Sequence, residues 1–158
     1  MEKIFSAFCR NNHIYGEMYD RQAALKQECF FSDESRDFII SRISREQITN
    51  LVSSFRDFDA ENVIYPDFAL PYLMVCGVAM RDAEDRINGV FVLYGFNAER
   101  IESGADLPDS YLATDREAFD SSAAFLELLS INYYRERTHA RDLMGELSES
   151  RSAAERLE

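Results

Sequence analysis

No stretch of this chain approaches the roughly 18 consecutive apolar residues that a membrane-crossing helix needs, and the first twenty residues carry no signal-peptide core. The sequence therefore points to a cytoplasmic domain, with no membrane within the chain. Positive charge is also scarce. Seventeen Lys and Arg face 29 Asp and Glu, a net charge of −12, which argues against nucleic acid because phosphate binding requires clustered cations. The three cysteines, Cys9, Cys29 and Cys76, are widely spaced and form no CxxC, so neither a disulfide framework nor a zinc site is indicated. Only two histidines occur. His13 reads as a cap at a helix-to-strand junction and His139 as a solvated side chain. No glycine-rich phosphate loop, HExxH or GxSxG is present. The chain is expected not to be an enzyme, and no cofactor is indicated.

Aromatic residues are plentiful: twelve Phe and eight Tyr, although there is no Trp. With 46% hydrophobic residues in 158, the chain can bury one core of ordinary size. Acidity is concentrated centrally, where residues 56–121 hold five Lys/Arg against fourteen Asp/Glu. Asp57, Asp59 and Glu61 read as a solvated loop, not as a paired acid and base.

Proline is missing after Pro108, and from Thr114 to Glu158 the pattern predicts one long helix of about 65 Å. Leu107-Pro108-Asp109 marks a turn, and Thr114 with Glu117 predicts a capping box. Gly145 falls on the outer face, at a cost of about 1 kcal/mol relative to alanine. Leu126, Leu129, Tyr133, Glu136, Ala140, Leu143, Leu147, Ser150, Ala154 and Leu157 step by three and four, the spacing of a coiled-coil seam. Before Arg135 apolar residues surround the axis, which places that half between its own domain and a partner. After it the stripe narrows between charges. Glu146 at a g position and Arg151 at the following e position can meet across a parallel dimer. The expected dimer interface is Leu126, Leu129, Tyr133, Ala140, Leu143, Leu147, Ala154 and Leu157. Residues 1–134 read as the domain and 135–158 as the coiled-coil helix.

The remainder predicts an α+β fold, with a central antiparallel sheet of about five or six strands covered by helices. A short helix at 2–12 precedes strands at 14–19 and 25–31, joined as a hairpin. Residues 36–43 are ambiguous between helix and strand. Ser44 and Gln47 form a second capping box, ahead of Ile48, Leu51, Val52 and Phe55 at helical spacing. Residues 62–65, 73–80 and 89–94 read as strands. The last two are apolar on both faces, so the sheet must be covered on both sides. Helices are expected on one face and the irregular segments around 30–45 and 97–113 on the other. Such a loop-covered face is a natural site for a small molecule, near Tyr15, Tyr19, Met74, Cys76 and Val78.

Pro71-Tyr72-Leu73-Met74, a charged turn, and Ile87-Asn88-Gly89-Val90-Phe91-Val92-Leu93 together resemble a GAF domain, the small-molecule sensor module of bacterial signalling proteins. Phe119–Ile131 resembles its closing helix, which leads into a signalling coiled coil. A PAS domain has a related sheet and is the near alternative. The resemblance implies sensing by a homodimer, with a downstream output domain in the parent protein. Motifs for cyclic nucleotides or bilin attachment are absent. A ligand-free dimerisation or adaptor module is the second reading. A cysteine redox enzyme resembling the GAF-type methionine sulfoxide reductases, using Cys29 or Cys76, is the third.

Overall fold

In the computed structural model, which describes residues 1–56, 62–102 and 105–157, an α+β fold is built on a six-stranded sheet. Asp57, Asp59 and Glu61 lie outside the described residues. The chain runs through α1 (Glu2–Asn11), β1 (Tyr15–Asp20), β2 (Leu25–Cys29), α2 (Asp33–Arg42) and α3 (Arg45–Ser53), which ends in a 3-10 turn, Ser54–Arg56. There follow β3 (Val63–Ile64), β4 (Leu73–Arg81), β5 (Ile87–Asn97), β6 (Ala113–Thr114) and α4 (Arg116–Glu155). The sheet order is β2-β1-β5-β4-β3, antiparallel throughout. Short β6 pairs parallel with β5 at Phe96 and Asn97, past the last β1 partner, Tyr94.

β4 and β5 are buried over nearly their whole length, as strands apolar on both faces must be. Each face has its own core. On one side Tyr15, Tyr19, Val75, Val90, Val92 and Tyr94 pack beneath Ile39 of α2 and Ile48, Leu51 and Val52 of α3. On the other, Met18, Met74, Cys76, Val78, Phe91 and Leu93 meet Phe5, Phe8 and Cys9 of α1 and Phe119, Ala123 and Leu126 of α4. Helices thus cover both faces: the segments 30–45 and 97–113 do lie over the first core, but most of 30–45 is helical, a correction to the expected irregular cover. Residues 36–43, ambiguous in sequence, fall mostly within α2, whose N-cap Ser32 accepts a hydrogen bond from Ser35 N–H. The segment 97–113 contributes Leu107, Tyr111 and Leu112 to the edge of the first core.

Three glycines set how closely the helices approach. A Cβ on Gly16 would lie 2.7 Å from Phe5 Cζ, one on Gly77 2.6 Å from Phe55 Cε2, and one on Gly95 2.8 Å from Phe119 Cδ2. Each glycine leaves a dimple that seats one ring.

Caps decide where the helices begin. The Ser44–Gln47 capping box of α3 is present with both reciprocal bonds. α4 starts one residue later than its sequence signal: Asp115 is the N-cap, accepting from Ala118 N–H at 2.7 Å, while Thr114 belongs to β6.

Candidate functional site

The five residues expected to line a ligand site do not come together. Tyr15 pairs with Tyr94, and Tyr94 with Val75, so Tyr15 and Tyr19 share a face with the odd-numbered residues of β4. Met74, Cys76 and Val78 point to the opposite face, and all five are buried in filled core. Tyr15 has a structural task there. Its hydroxyl accepts from Leu112 N–H at 2.8 Å and lies 3.3 Å from Ser35 Oγ, tying the long loop to α2. Cys76 is fully buried, and burial pushes its thiol well above the ordinary value.

Tyr19 belongs to a polar cluster that sequence reading missed. Glu17, completely buried on β1, accepts hydrogen bonds from Tyr94 Oη at 2.5 Å and from both terminal nitrogens of Arg45 at 3.0 and 3.1 Å. Arg45 also donates to Tyr19 Oη at 2.9 Å. Burial, then the Glu17 charge, raises the Tyr19 and Tyr94 phenols, so both hydroxyls keep their protons and can donate to the carboxylate. A buried carboxylate held by three hydrogen bonds is a satisfied structural device. The alternation of Tyr15, Glu17 and Tyr19 on one face was its only sequence signal.

Cys9 and Cys29 meet beside Gly16: a Cβ there would lie 3.3 Å from Cys9 Sγ, and Gly16 is the cross-strand partner of Cys29. Burial drives the Cys9 thiol up, whereas hydrogen bonds from Cys9 and Ser6 lower that of Cys29. All three cysteines are buried and free. Among the described residues no group of three or more His, Cys, Asp or Glu side chains is placed to hold a metal ion.

The long helix divides sharply. Leu126 is fully buried in the second core, Leu129 packs against that core, and the Tyr133 hydroxyl accepts from the Met1 amine at 2.8 Å. Leu126 therefore faces its own body, a correction to the sequence reading, while Leu129 and Tyr133 are half-buried beside it. Tyr134 Oη donates to Met80 sulfur at 3.4 Å, close to where the helix leaves the sheet. From Arg135 to Leu157 every residue is exposed. Ala140, Leu143, Leu147, Ala154 and Leu157 lie on this projecting rod. Two residues expected in the buried half are also turned outward: Phe125 is 56% exposed and Leu128 58%. Helical geometry explains the shift. Eighteen residues make about five turns, so Phe125 stands in line with Leu143, and Leu129 with Leu147. A strict seven-residue repeat drifts by about 20° per heptad in a straight helix. A seam facing the sheet at Leu126 therefore ends up on a different side of the rod.

A second feature lies where α4 departs. The β1–β2 and β4–β5 turns sit side by side at this end of the sheet and are built alike. Asp20 Oδ1 accepts from the N–H groups of Gln22 and Ala24, and Ala23 takes φ 61°. Asp82 Oδ1 accepts from Glu84 and Arg86, and Asp85 takes φ 63°. The Ala24 N–H, with Lys26 close by, holds the Asp20 carboxyl below its ordinary range. Asp82 is also held low: burial raises it, but bonds from Arg86 and Glu84 outweigh that. Between these turns and α3 lies a cleft of about 380 Å³, floored by Val52, Phe55, Ile87 and Val90 and rimmed by Arg21, Arg81 and Arg86.

No family model, curated protein or solved structure matches this chain. The GAF resemblance thus rests on the quoted sequence segments alone. Among the described residues, no helix is long and apolar enough to cross a membrane.

Proposed function

We propose that the chain is a regulatory domain of a signal-transduction protein, a small-molecule sensor that pairs with a second copy in parallel through α4 and passes its conformational state along that helix to an output domain. The observation that carries this reading is the apolar line on the outward side of α4. It begins at Phe125 and Leu128, beside the body, and continues through Leu143 and Leu147 to Leu157 on the rod, all at least 46% exposed except Leu129 between them. A line shared by a body-packed segment and a free rod suits a partner of the same shape at the same height. A parallel second copy sets body beside body and rod beside rod, and brings Glu146 opposite Arg151 of the other copy. An antiparallel copy would set each rod against the other body. A ligand acts on such a pair only through its different affinity for two arrangements of α4.

The filled core around Met74, Cys76 and Val78 favours a second reading, a ligand-free dimerisation adaptor. The redox-enzyme reading draws little support from thiols that are all buried.

Sedimentation equilibrium of the full chain tests the pairing. A concentration-dependent dimer is expected, weakened about a hundredfold or more by Leu143→Glu with Leu147→Glu, since four charges would enter an apolar seam. A lone particle at high concentration would overturn the reading.

A further inference from the structure

The cleft between the paired turns combines an apolar floor with a cationic rim. Its floor is aliphatic and aromatic: Val52, Phe55 and Val90 are buried beneath it, and half-buried Ile87 closes one side. Its rim carries three guanidinium groups in a chain whose net charge is −12. Of the two carboxylates in the wall, Asp20 is committed and Asp85 is exposed. Asp20 caps its own turn and lies 3.2 Å from Lys26 Nζ, while Asp85 lies 3.8 Å from Arg81. Arg81 is fixed in place, donating from Nε and one terminal nitrogen to Asn62 Oδ1 and from the other to the Asp85 carbonyl. Arg86 is held through Nε by Asp82 at 3.1 Å and through one terminal nitrogen by Glu84 at 2.7 Å. Arg21 is exposed on the facing turn.

A guanidinium offers five N–H donors in a flat fork that matches a carboxylate or phosphate, and its face stacks on planar groups. From this geometry we infer that the cleft is a binding site for a small organic anion with a flat apolar body, an aryl or heterocyclic carboxylate or phosphate. The body lies over Phe55 and Val90, and the anionic group meets Arg21 and Arg86. The volume of about 380 Å³ falls at the lower end of the range for small-molecule sites, so the ligand is compact. Position gives the site its interest. The β4–β5 turn forms one wall of the cleft, and Met80, just before that turn, holds the Tyr134 hydroxyl at the point where α4 departs. A bound anion drawing the two turns together acts on the hairpin that α4 leans on. This deepens the sensor reading above and rests on it for its consequence, though not for the binding itself.

Phenyl phosphate and inorganic phosphate are the probes, titrated into the full chain while backbone amide resonances are followed. Saturable shifts are expected at Gln22, Ala24, Glu84 and Arg86, with phenyl phosphate bound at least about tenfold more tightly than inorganic phosphate because only the former buries a ring. Arg21→Gln, a change on an exposed side chain, should weaken phenyl phosphate about tenfold, and adding Arg86→Gln should weaken it further. Absence of saturable shifts, equal affinity for the two probes, or unchanged affinity in the double variant would each overturn the site. The same titration, run beside sedimentation of the unaltered chain, separates the two proposals. Binding retained by a chain that never dimerises overturns the paired-helix reading alone, whereas a dimer showing no shifts overturns the cleft alone.

Discussion

The two halves of α4 carry apolar residues at the same three-and-four spacing and meet opposite fates. Between Phe119 and Tyr134 one side of the helix lies against Met74, Cys76 and Phe91, with Phe119, Ala123 and Leu126 fully buried. Beyond Arg135 the same spacing runs through residues that are all exposed. Spacing identifies the stripe that wants a partner but does not say which surface provides it. The body settles the matter for the first half by offering the Gly95 dimple and a methionine-lined sheet. The second half meets no such surface among the described residues. Phe125 and Leu128 bridge the two regimes, since they belong to the packed half yet face the same way as the rod.

The contrast is tested most strongly by matched truncations. Phe119→Ala should cost about 3–5 kcal/mol in denaturant unfolding of the monomer, because it empties a fully enclosed ring site. Leu147→Ala should change monomer stability by less than about 0.5 kcal/mol and act only on association. Equal losses in the two variants would erase the distinction between the halves. Arg45→Ala comes next, at about 2–3 kcal/mol. It leaves the buried Glu17 carboxylate with only phenol donors, and the figure is reduced because the Arg45 side chain is itself half exposed. Equilibrium unfolding of Arg45→Ala beside Glu17→Gln should show the arginine variant to be the more damaged, since glutamine leaves no stranded charge. Asp115→Ala removes the cap of α4 and should cost about 1 kcal/mol, visible as a lower unfolding midpoint without loss of the rod's helical signal.

The smallest effect is a pH dependence at the end of the sheet where the halves divide. Asp20 and Asp82 are held below the ordinary carboxylate value of 3.8 in the folded chain. Their contribution is therefore fully present above about pH 4 and fades as the pH falls through the lowered folded values. Amide protection at Gln22, Ala24, Glu84 and Arg86, measured against unstructured exchange at the same pH, should fall in that window. Asp20→Asn with Asp82→Asn should flatten the dependence. If protection there is unaffected by acid, the turns are not held by their carboxylates.

Much of the architecture was legible because its signals are local. The double-sided apolar runs of β4 and β5, the Ser44–Gln47 box and the uninterrupted run after Pro108 each correspond to a feature of the fold. α2 was obscure because Phe38, Ile39 and Ile40 are consecutive, a run that suits a strand as well as a helix; only Ser32 and the surrounding charges favour the helix. The start of α4 was misplaced because Thr114 and Asp115 are both good caps, and pairing of Thr114 with Asn97 decides between them. The candidate site failed for a different reason. Alternation along a strand assigns each residue to one of two faces, but register decides which faces coincide on neighbouring strands, and one step transposes them all. Tyr15 and Met74 were placed together by such a step. The cleft was invisible because its walls come from Arg21, Val52 and Arg86, distant in sequence and joined only by the turn-to-helix arrangement.

Gly95 gives the molecule a lever. Phe119 presses into its dimple near one end of the packed half of α4, Tyr134 leans on Met80 about 22 Å away, and the rod continues for about 32 Å more. With Tyr134 as the fulcrum, each ångström by which the first turn lifts from the sheet swings the far tip about 1.5 Å in the opposite sense. One methyl group at Gly95 would press on the Phe119 ring 2.8 Å away, so the aim of the arm depends on the smallest side chain beneath its heel.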